Sequence, residues 1–584
     1  MNRDRLARLL PAWLRGYQRR SLPGDLVAAL VVTLLLVPQG LAYAALAGLP
    51  PQLGLYAGLL PMVAYAVFGS SMVMSVGPVA VASLMTAAAL SGIAAPGSPE
   101  YIAAAVVLAL LSGVLLFGFG LLRLGNLARL LSHPVISGFI TGAALMIIIS
   151  QLRPLLGIDA SGDTAVLLVV DLLGSLGGFE PLTAYFGLTA LVFLWLARRY
   201  LARLLARLGL ARTTADLLAK LAPMLAVLVA SALVVGLDWQ ERLPVVGTLP
   251  PGLPALVVPA LDFSLIGALW LPALVIGLIG FVESVAIAQS FARRSGQRID
   301  PNAELRGLGA ANVVSAFSGA FPVTGGFSRT VVNAEAGAQT PLASVLAAGL
   351  MALVLLFAIG LFGALPMAVL AAVIISAALG LVDVQGLRQV WRYDRIEGVA
   401  FGGTALGVLL VGVEAGVIFG VALSLAMLVL RASRPHVAVV GRIPGTEHFR
   451  NIHRHQVETR PGLAIVRVDE ILFFGNAEAV EDELERILAE RPDTRDLVLV
   501  MLSVSHIDAT AAEMLEQLND TLLARGVRLH LAEVKGPVMD RLLPGTLPQR
   551  LSGRIFLSTH EAFEKLGAAA PTIEVEQRRR EPSR

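Results

Sequence analysis

"SVGPVAVASLM", residues 75–85, carries no charge and lies inside an uncharged run from Leu26 to Pro99. It opens on Gly77-Pro78, the pair least suited to a helix interior. A proline in the first turn of a helix is tolerated, because its missing N–H would have lacked an intrahelical partner anyway. The stretch therefore reads as a helix that starts at Pro78, partway through an apolar segment, with its first free N–H groups near Val79 and Ala80. Those groups carry the positive end of the helix dipole, and in lipid they need protein or an aqueous cavity around them. The competing reading is a continuous helix kinked at Pro78.

The surroundings are those of a membrane protein. The 584 residues are 56% hydrophobic and 15% charged, with a mean hydropathy of +0.76. Besides Leu26–Pro99, the stretches Tyr101–Leu122, Leu130–Leu152, Leu221–Leu237, Phe263–Val282 and Ala336–Val382 hold no Asp, Glu, Lys or Arg. A helical span needs about 20 apolar residues, so the longest of these hold two or three. Basic residues precede the first run and dozens of apolar residues continue it, which argues for retained spans rather than a cleaved signal peptide. With no cysteine, disulfides and thiolate metal sites are excluded.

Spans are expected near 22–46, 52–68, 75–92, 101–122, 130–152, 182–200, 221–237, 265–291, 304–321, 328–340, 342–363, 365–382, 397–413 and 414–431, fourteen in all. The segment 164–178, interrupted by Asp171 and Gly174, is placed at the membrane interface. Arg3, Arg5, Arg8, Arg15, Arg19 and Arg20 precede the first span. Further clusters follow the fourth (Arg123, Arg129), sixth (Arg198, Arg199, Arg203, Arg207), eighth (Arg293, Arg294, Arg298) and twelfth (Arg388, Arg392, Arg395). All fall on one side if the N-terminus is cytosolic, as the positive-inside rule expects. Arg431 and Arg434 put the C-terminal part there too.

A second broken segment, "FPVTGGFSRTVVNAEAG" at 321–337, lies in the other half. Gly325-Gly326 interrupts it, Ser328 is the expected N-cap, and Arg329 follows at once. Paired interrupted segments in corresponding places of two halves point to a transporter built from inverted repeats, its site between the two half-helix N-termini. Two positive dipole ends and a nearby arginine select an anion; the plainer reading of Arg329 is a snorkelling helix-end residue. Glu283 follows 20 uncharged residues. A carboxylate within a span is a functional candidate by default, here a proton carrier, or else a structural partner of Arg329.

Charge density rises near Arg431. The expected organisation is a cytosolic N-terminal segment (1–21), a transmembrane transport domain (22–432), a cytosolic domain (437–568) and a charged tail (569–584). In the cytosolic domain "GLAIVRVDEILFFGNA" reads as two short strands, "AEAVEDELERILAER" as an amphipathic helix and "DLVLVMLSVSHID" as a buried strand. "ATAAEMLEQLNDTLLARG" is a helix and "VRLHLAEV" a strand, so the domain is an α/β sandwich with a mixed sheet. His448, His453 and His455 lie in a polar linker without paired carboxylates and read as solvated residues. No phosphate loop, catalytic triad or zinc motif is present, and the chain does not read as an enzyme.

"VPQGLAYAALAGLPPQLGLYAGLLPMVAYAVFGSS" (37–71), the stretch that follows it, and "GGFSRTVVNAEAGAQTPLAS" (325–344) resemble the signature blocks of the sulfate permease (SulP) family, to which prestin and pendrin belong. The resemblance implies a fold of fourteen helices in two inverted seven-helix repeats, divided into core and gate, a C-terminal STAS domain and a homodimer. It implies an anion pocket between spans three and ten lined by Gln39, Tyr43, Val79, Ala80, Ser328 and Arg329. Glu283 matches a position where proton-coupled sulfate transporters of the family carry Glu. Sodium-coupled bicarbonate members are built around an Asp there with hydroxyl ligands, whereas only Ser284 is close by in this sequence, which favours the proton. In the loop "HIDATAAEM" Ala509 stands where STAS relatives carry a phosphoacceptor Ser, and Thr510 is expected to cap the next helix.

The function expected is proton-coupled uptake of a small oxyanion, sulfate first, across the plasma (inner) membrane, with no cofactor, metal or nucleic acid involved. Sodium-coupled bicarbonate transport and dicarboxylate transport compete within the same class. An anion sensor or a chloride channel signalling through STAS competes from another.

Overall fold

The computed structural model of the chain describes residues 11–126, 132–158, 162, 164–260, 262–295, 297–566 and 572–574. Residues 1–10, 575–584 and Arg129 of the expectations above, with the side chains of Arg293 and Arg294, lie outside them. The chain divides into two compact units, Met1–Ser424 and Leu425–Arg584.

The first unit is helical. Its elements in order are α1 (Leu22–Leu46), α2 (Gln52–Tyr56), α3 (Leu60–Phe68), strand β1 (Val76–Gly77), α4 (Ala80–Leu90), α5 (Pro99–Leu121), α6 (His133–Leu156), α7 (Ala165–Gly174), α8 (Pro181–Leu196), α9 (Arg212–Lys220) and α10 (Ala222–Gly236). The second half repeats the plan with α11 (Phe263–Ser295), α12 (Pro301–Phe317), strand β2 (Thr324–Gly325), α13 (Phe327–Glu335), α14 (Leu342–Leu353), α15 (Met367–Ala378), α16 (Val384–Tyr393), α17 (Arg395–Leu410) and α18 (Val413–Ala432). All fourteen expected spans fall on helices. Among the described residues six helices are long and apolar enough to cross a membrane unaided, and α9 with α10 forms a further candidate span bent by 49°. The other spans are short or broken helices packed among these.

Packing repeats between the halves with the order of elements inverted. Helix α5 packs on α12 and α11, as α14 packs on α3 and α1. Likewise α6 packs on α17, as α15 packs on α8. The first set is the core and the second the gate. Backbones approach closely where glycine allows it: a Cβ on Gly113 of α5 would lie 2.5 Å from the Val313 nitrogen, and one on Gly309 of α12 would lie 2.5 Å from that of Phe117. Small residues at such crossings replace the hydrophobic effect that lipid does not supply.

Two buried carboxylates fasten loops of the core. Glu304 of α12, fully buried, accepts hydrogen bonds from the Tyr65 hydroxyl (2.7 Å), the Ser70 hydroxyl and N–H (2.7 and 2.9 Å) and the Ser71 N–H (3.1 Å). Asp25 of α1 does the same for the turn after α13, accepting from the Gln339 N–H (2.8 Å), the Thr340 N–H (3.1 Å) and the Thr340 hydroxyl (2.6 Å). Burying a carboxylate costs far less when several donors meet it, as three do at Asp25 and four at Glu304.

The second unit is an α/β sandwich. Strands β3 (Val437–Arg442), β4 (Phe449–Asn451), β5 (Val457–Thr459), β6 (Leu463–Val468), β7 (Asp496–Val500), β8 (Arg528–Ala532), β9 (Ile555–Phe556) and β10 (Thr572–Glu574) form one sheet in the order β10-β5-β3-β6-β7-β8-β9, with β4 paired to β3. β6 to β9 run parallel and β3 is antiparallel to β6. Helices α19 (Ala477–Glu490) and α20 (Ala509–Ala524) cover one face, where Leu484, Leu515 and Leu518 meet Leu497, Leu499 and Leu529. The second strand expected around Phe473 is reduced to one bridge, Leu472 with Ile507. Thr510 does not cap α20: the Asp508 carboxylate accepts from the Ala511 N–H at 2.9 Å, and Thr510 is exposed in the first turn. An aspartate two residues upstream of the expected cap is placed to reach the third N–H. His530 is buried, its Nδ1 accepting from the Arg554 N–H and its Nε2 facing Asp496, each at 3.0 Å. Burial holds this ring below its ordinary pKa, and the Asp496 hydrogen bond opposes that shift.

Replacing Glu304 by alanine should strand four donors, each costing about 1–3 kcal/mol when left unpaired. Thermal unfolding of the purified protein in detergent should show a clearly lowered midpoint for Glu304→Ala. An unchanged midpoint would mean that the loop is not held by this carboxylate.

Candidate functional site

The two interrupted segments meet. β1 and β2 pair antiparallel, Val76 opposite Gly325 and Gly77 opposite Thr324, and the Gly326 N–H donates to the Ser75 carbonyl at 3.0 Å. Backbone that leaves a helix at membrane depth must find partners in protein; here each broken segment supplies them to the other. A half-helix leaves each strand, α4 after Val79 as N-cap and α13 after Gly326 as N-cap. Ser328 is therefore the second residue of α13 rather than its cap, and it is exposed. Gly326 takes the cap place because its extended backbone continues the strand.

Buried polar side chains fix this crossing, and sequence reasoning had not singled out most of them. The Ser284 hydroxyl on α11 donates to the Gly280 carbonyl (2.6 Å) and accepts from the Gly325 N–H (3.0 Å). Thr324 reaches the same carbonyl at 2.9 Å. Asn312 on α12 brackets Val323, donating to its carbonyl (2.8 Å) and accepting from its N–H (2.9 Å). From α13, Thr330 accepts from the Ser75 N–H at 3.2 Å and Asn333 donates to the Val73 carbonyl at 2.8 Å. The available signal was their polarity inside otherwise apolar segments.

Arg329 lies at the crossing, 1% exposed. Its Nη1 donates to the Pro78 carbonyl of the opposite segment at 2.6 Å, while its buried Nε and Nη2 have no hydrogen-bond partner among the described residues. It is not a snorkelling residue. Glycines make room for it: a Cβ on Gly326 would stand 2.8 Å from Nη2, and one on Gly77 3.3 Å from it. Gln39 and Tyr43 are buried on α1, which packs against both half-helices, and the Gln39 Oε1 is also without a partner. Val79 and Ala80 are buried at the start of α4. Glu283 is buried on α11 beside Ser284, within electrostatic reach of Arg329 and Tyr43. Among the described residues it forms no ion pair within 4.0 Å, so the structure does not bring Glu283 and Arg329 into direct contact.

A cavity of about 1360 Å³ opens between core and gate at one end of the bundle. Its walls include Leu46 of α1, Leu84 and Ala88 of α4, Arg153 of α6 and Met367 of α15. None of the site residues above lines it; Leu84 is four residues beyond Ala80 on α4, about 6 Å along the axis. The other end is shut. Lys220, at the far end of α10 from the cavity residues Glu241–Pro244, pairs with Glu335 at the end of α13. Beside that pair Leu217 and Leu221 pack against Val31, Leu35, Val332 and Ala336.

Comparison with known proteins places this arrangement. The sequence profile of the sulfate permease family matches residues 22–404, and that of the STAS domain matches 454–562. Probable sulfate transporter 4.2 of Arabidopsis thaliana is 34% identical, the alignment covering 94% of this chain and 82% of the relative. A probable sulfate transporter of Mycobacterium tuberculosis is 35% identical over 94% of this chain and 96% of its own. Among solved structures, the murine Solute Carrier 26 family member A9 anion transporter in its inward-facing state superposes with a TM-score of 0.85 at 24% identity. That superposition covers 96% of this chain and 94% of the other. The transmembrane domain of a cyanobacterium bicarbonate transporter gives a TM-score of 0.60 at 22% identity, over 68% of this chain and 98% of that one.

A methyl group at position 326 meets only the flexible end of Arg329, so Gly326→Ala should leave the melting temperature nearly unchanged while displacing the guanidinium. If Arg329 holds the anion, losing one charge-assisted hydrogen bond should weaken sulfate binding by roughly tenfold or more, read by titration calorimetry. Unaltered affinity would separate Arg329 from the binding site.

Proposed function

The chain belongs to the sulfate permease family, and on that premise we propose that it is a secondary active transporter carrying sulfate into the cell together with a proton. The observation that carries the anion site is the pair of buried Arg329 donors, Nε and Nη2, without partners among the described residues. They sit where the N-termini of α4 and α13 converge. A guanidinium presents two parallel N–H groups to an oxyanion, a geometry lysine lacks. The half-helix termini at Val79–Ala80 and Ser328 add free N–H groups of the same polarity. Gln39 donates through its amide and Tyr43 forms a wall with a polar tip. The names of the curated relatives make sulfate the first candidate.

Glu283 is the proposed proton carrier. It lies within electrostatic reach of Arg329 but outside ion-pair distance, so its charge can respond to the anion without being locked by it. The Ser284 hydroxyl already serves the Gly280 carbonyl and the Gly325 N–H, which leaves less for a sodium ion. The arginine-rich ends assign the termini to the cytosol of a plasma (inner) membrane protein. The cavity then faces outward, and the Lys220–Glu335 end faces inward. Rocking of the core against the gate would exchange which end is open. Residues 22–432 are the proposed transport domain and 437–568 the STAS domain, with a homodimer as the assembly.

Uptake of labelled sulfate into proteoliposomes tests this. Accumulation should rise with an inward proton gradient, and excess bicarbonate or succinate should compete weakly. Arg329→Ala should weaken binding by about 10- to 100-fold, the worth of a charge-assisted hydrogen bond of roughly 1.5–3 kcal/mol, with partial recovery in Arg329→Lys. Glu283→Gln should bind sulfate yet fail to accumulate it against a gradient. Acid-driven accumulation that survives in Glu283→Gln would place coupling elsewhere. Transport of another anion in place of sulfate would move the substrate while keeping the pocket.

A further inference from the structure

The inverted repeat places two short helices in corresponding positions at opposite ends of the gate: α7 between α6 and α8, and α16 between α15 and α17. Leu168 of α7 lines the cavity, so α7 belongs to the cavity end. Met367, at the start of α15, lines the cavity too, so α16, which follows the other end of α15, belongs to the closed end. Arg198 joins that end by donating to the Ser376 carbonyl in the last turn of α15.

Both helices leave apolar side chains uncovered, but their charges differ. α7 carries Asp171 as its single charged residue. α16 carries Arg388 and Arg392, and Arg395 follows it. None of α16 is buried: Leu387 and Val390 are half-covered, Trp391 is 49% exposed and Tyr393 92% exposed. The acidic groups nearest in sequence, Asp383 and Asp394, accept hydrogen bonds from the Gly386 and Ile396 N–H groups and cap α16 and α17. Among the described residues Arg388 and Arg392 form no hydrogen bond or ion pair. Helical spacing sets these two arginines together on one side, four residues apart, while Leu387, Val390 and Trp391 share another. A half-covered apolar face, aromatic residues and basic residues are the features of a helix lying in a membrane interface.

We propose that α16 docks anionic phospholipid of the leaflet at the closed end, with Arg388 and Arg392 holding the headgroup phosphate and Trp391 and Tyr393 set at headgroup level. The acidic, arginine-free α7 makes the pairing one-sided, so the two symmetric helices meet different leaflets. Each arginine near an anionic surface contributes on the order of fivefold in affinity, so the pair gives roughly 25-fold.

The full chain, purified in detergent with phosphatidylglycerol and phosphatidylcholine in equal amounts, is passed through gel filtration, and retained lipid is counted by mass spectrometry. Wild type should favour phosphatidylglycerol. R388Q/R392Q should lose most of that preference, falling roughly 25-fold in relative affinity, while R388K/R392K keeps most of it. R203Q/R207Q, exposed arginines elsewhere at that end, should leave it intact. Melting temperature is measured alongside, since surface changes of this kind leave it near the wild-type value. An unchanged preference in R388Q/R392Q overturns the proposal, and means that α16 meets protein instead. An equal loss in R203Q/R207Q also overturns it, in favour of diffuse attraction to the whole basic end. Sulfate transport enters none of these readouts, so the inference stands or falls apart from the transport reading.

Discussion

Everything in the membrane unit turns on one constraint: backbone that leaves a helix in an apolar medium must still have its N–H and C=O groups satisfied. The short antiparallel pair of Val76–Gly77 with Thr324–Gly325 meets that constraint for both broken segments at once. It also aims two half-helices at one point from opposite halves of the chain. The Arg329–Pro78 hydrogen bond ties the halves at that point, and the buried Nε and Nη2 of Arg329 have no partner among the described residues. The crossing thereby gathers two half-helix N-termini and a guanidinium in one place, an arrangement suited to an oxyanion. The polar residues around it, Ser284, Asn312, Thr330 and Asn333, hold the crossing through hydrogen bonds with its backbone.

The bundle is open at one end and shut at the other. The cavity divides core from gate on the side of Leu84 and Met367, whereas Lys220 and Glu335 join gate to core on the opposite side over a small apolar seal. An exposed ion pair of this kind contributes little stability, about 0–1 kcal/mol. Such a joint can hold one arrangement without trapping it.

Much of this was legible before the fold was known. Uncharged runs, Gly77-Pro78 and Gly325-Gly326 located the spans, the two breaks and the repeat, because lipid imposes strong rules on length and charge. Arg329 stood out for the same reason. What escaped was set by tertiary contact. Gly326 rather than Ser328 caps α13, since the pairing of β2 fixes where the helix starts. Asp508 rather than Thr510 caps α20, a shift of two residues that pattern alone does not resolve. The loop clamps made by Glu304 and Asp25 join residues more than two hundred positions apart, and nothing local in the sequence marks such partners.

An anion seated between the two half-helix N-termini can be detected directly, because the sequence holds no cysteine. Ser328→Cys introduces a single thiol at the first turn of α13, in an exposed position. Its rate of modification by a small negatively charged thiol reagent is followed with increasing sulfate. Sulfate bound there should slow the reaction with a midpoint equal to its binding constant, and Arg329→Ala in the same background should remove the protection. A modification rate indifferent to saturating sulfate, in protein that still transports it, would contradict the account.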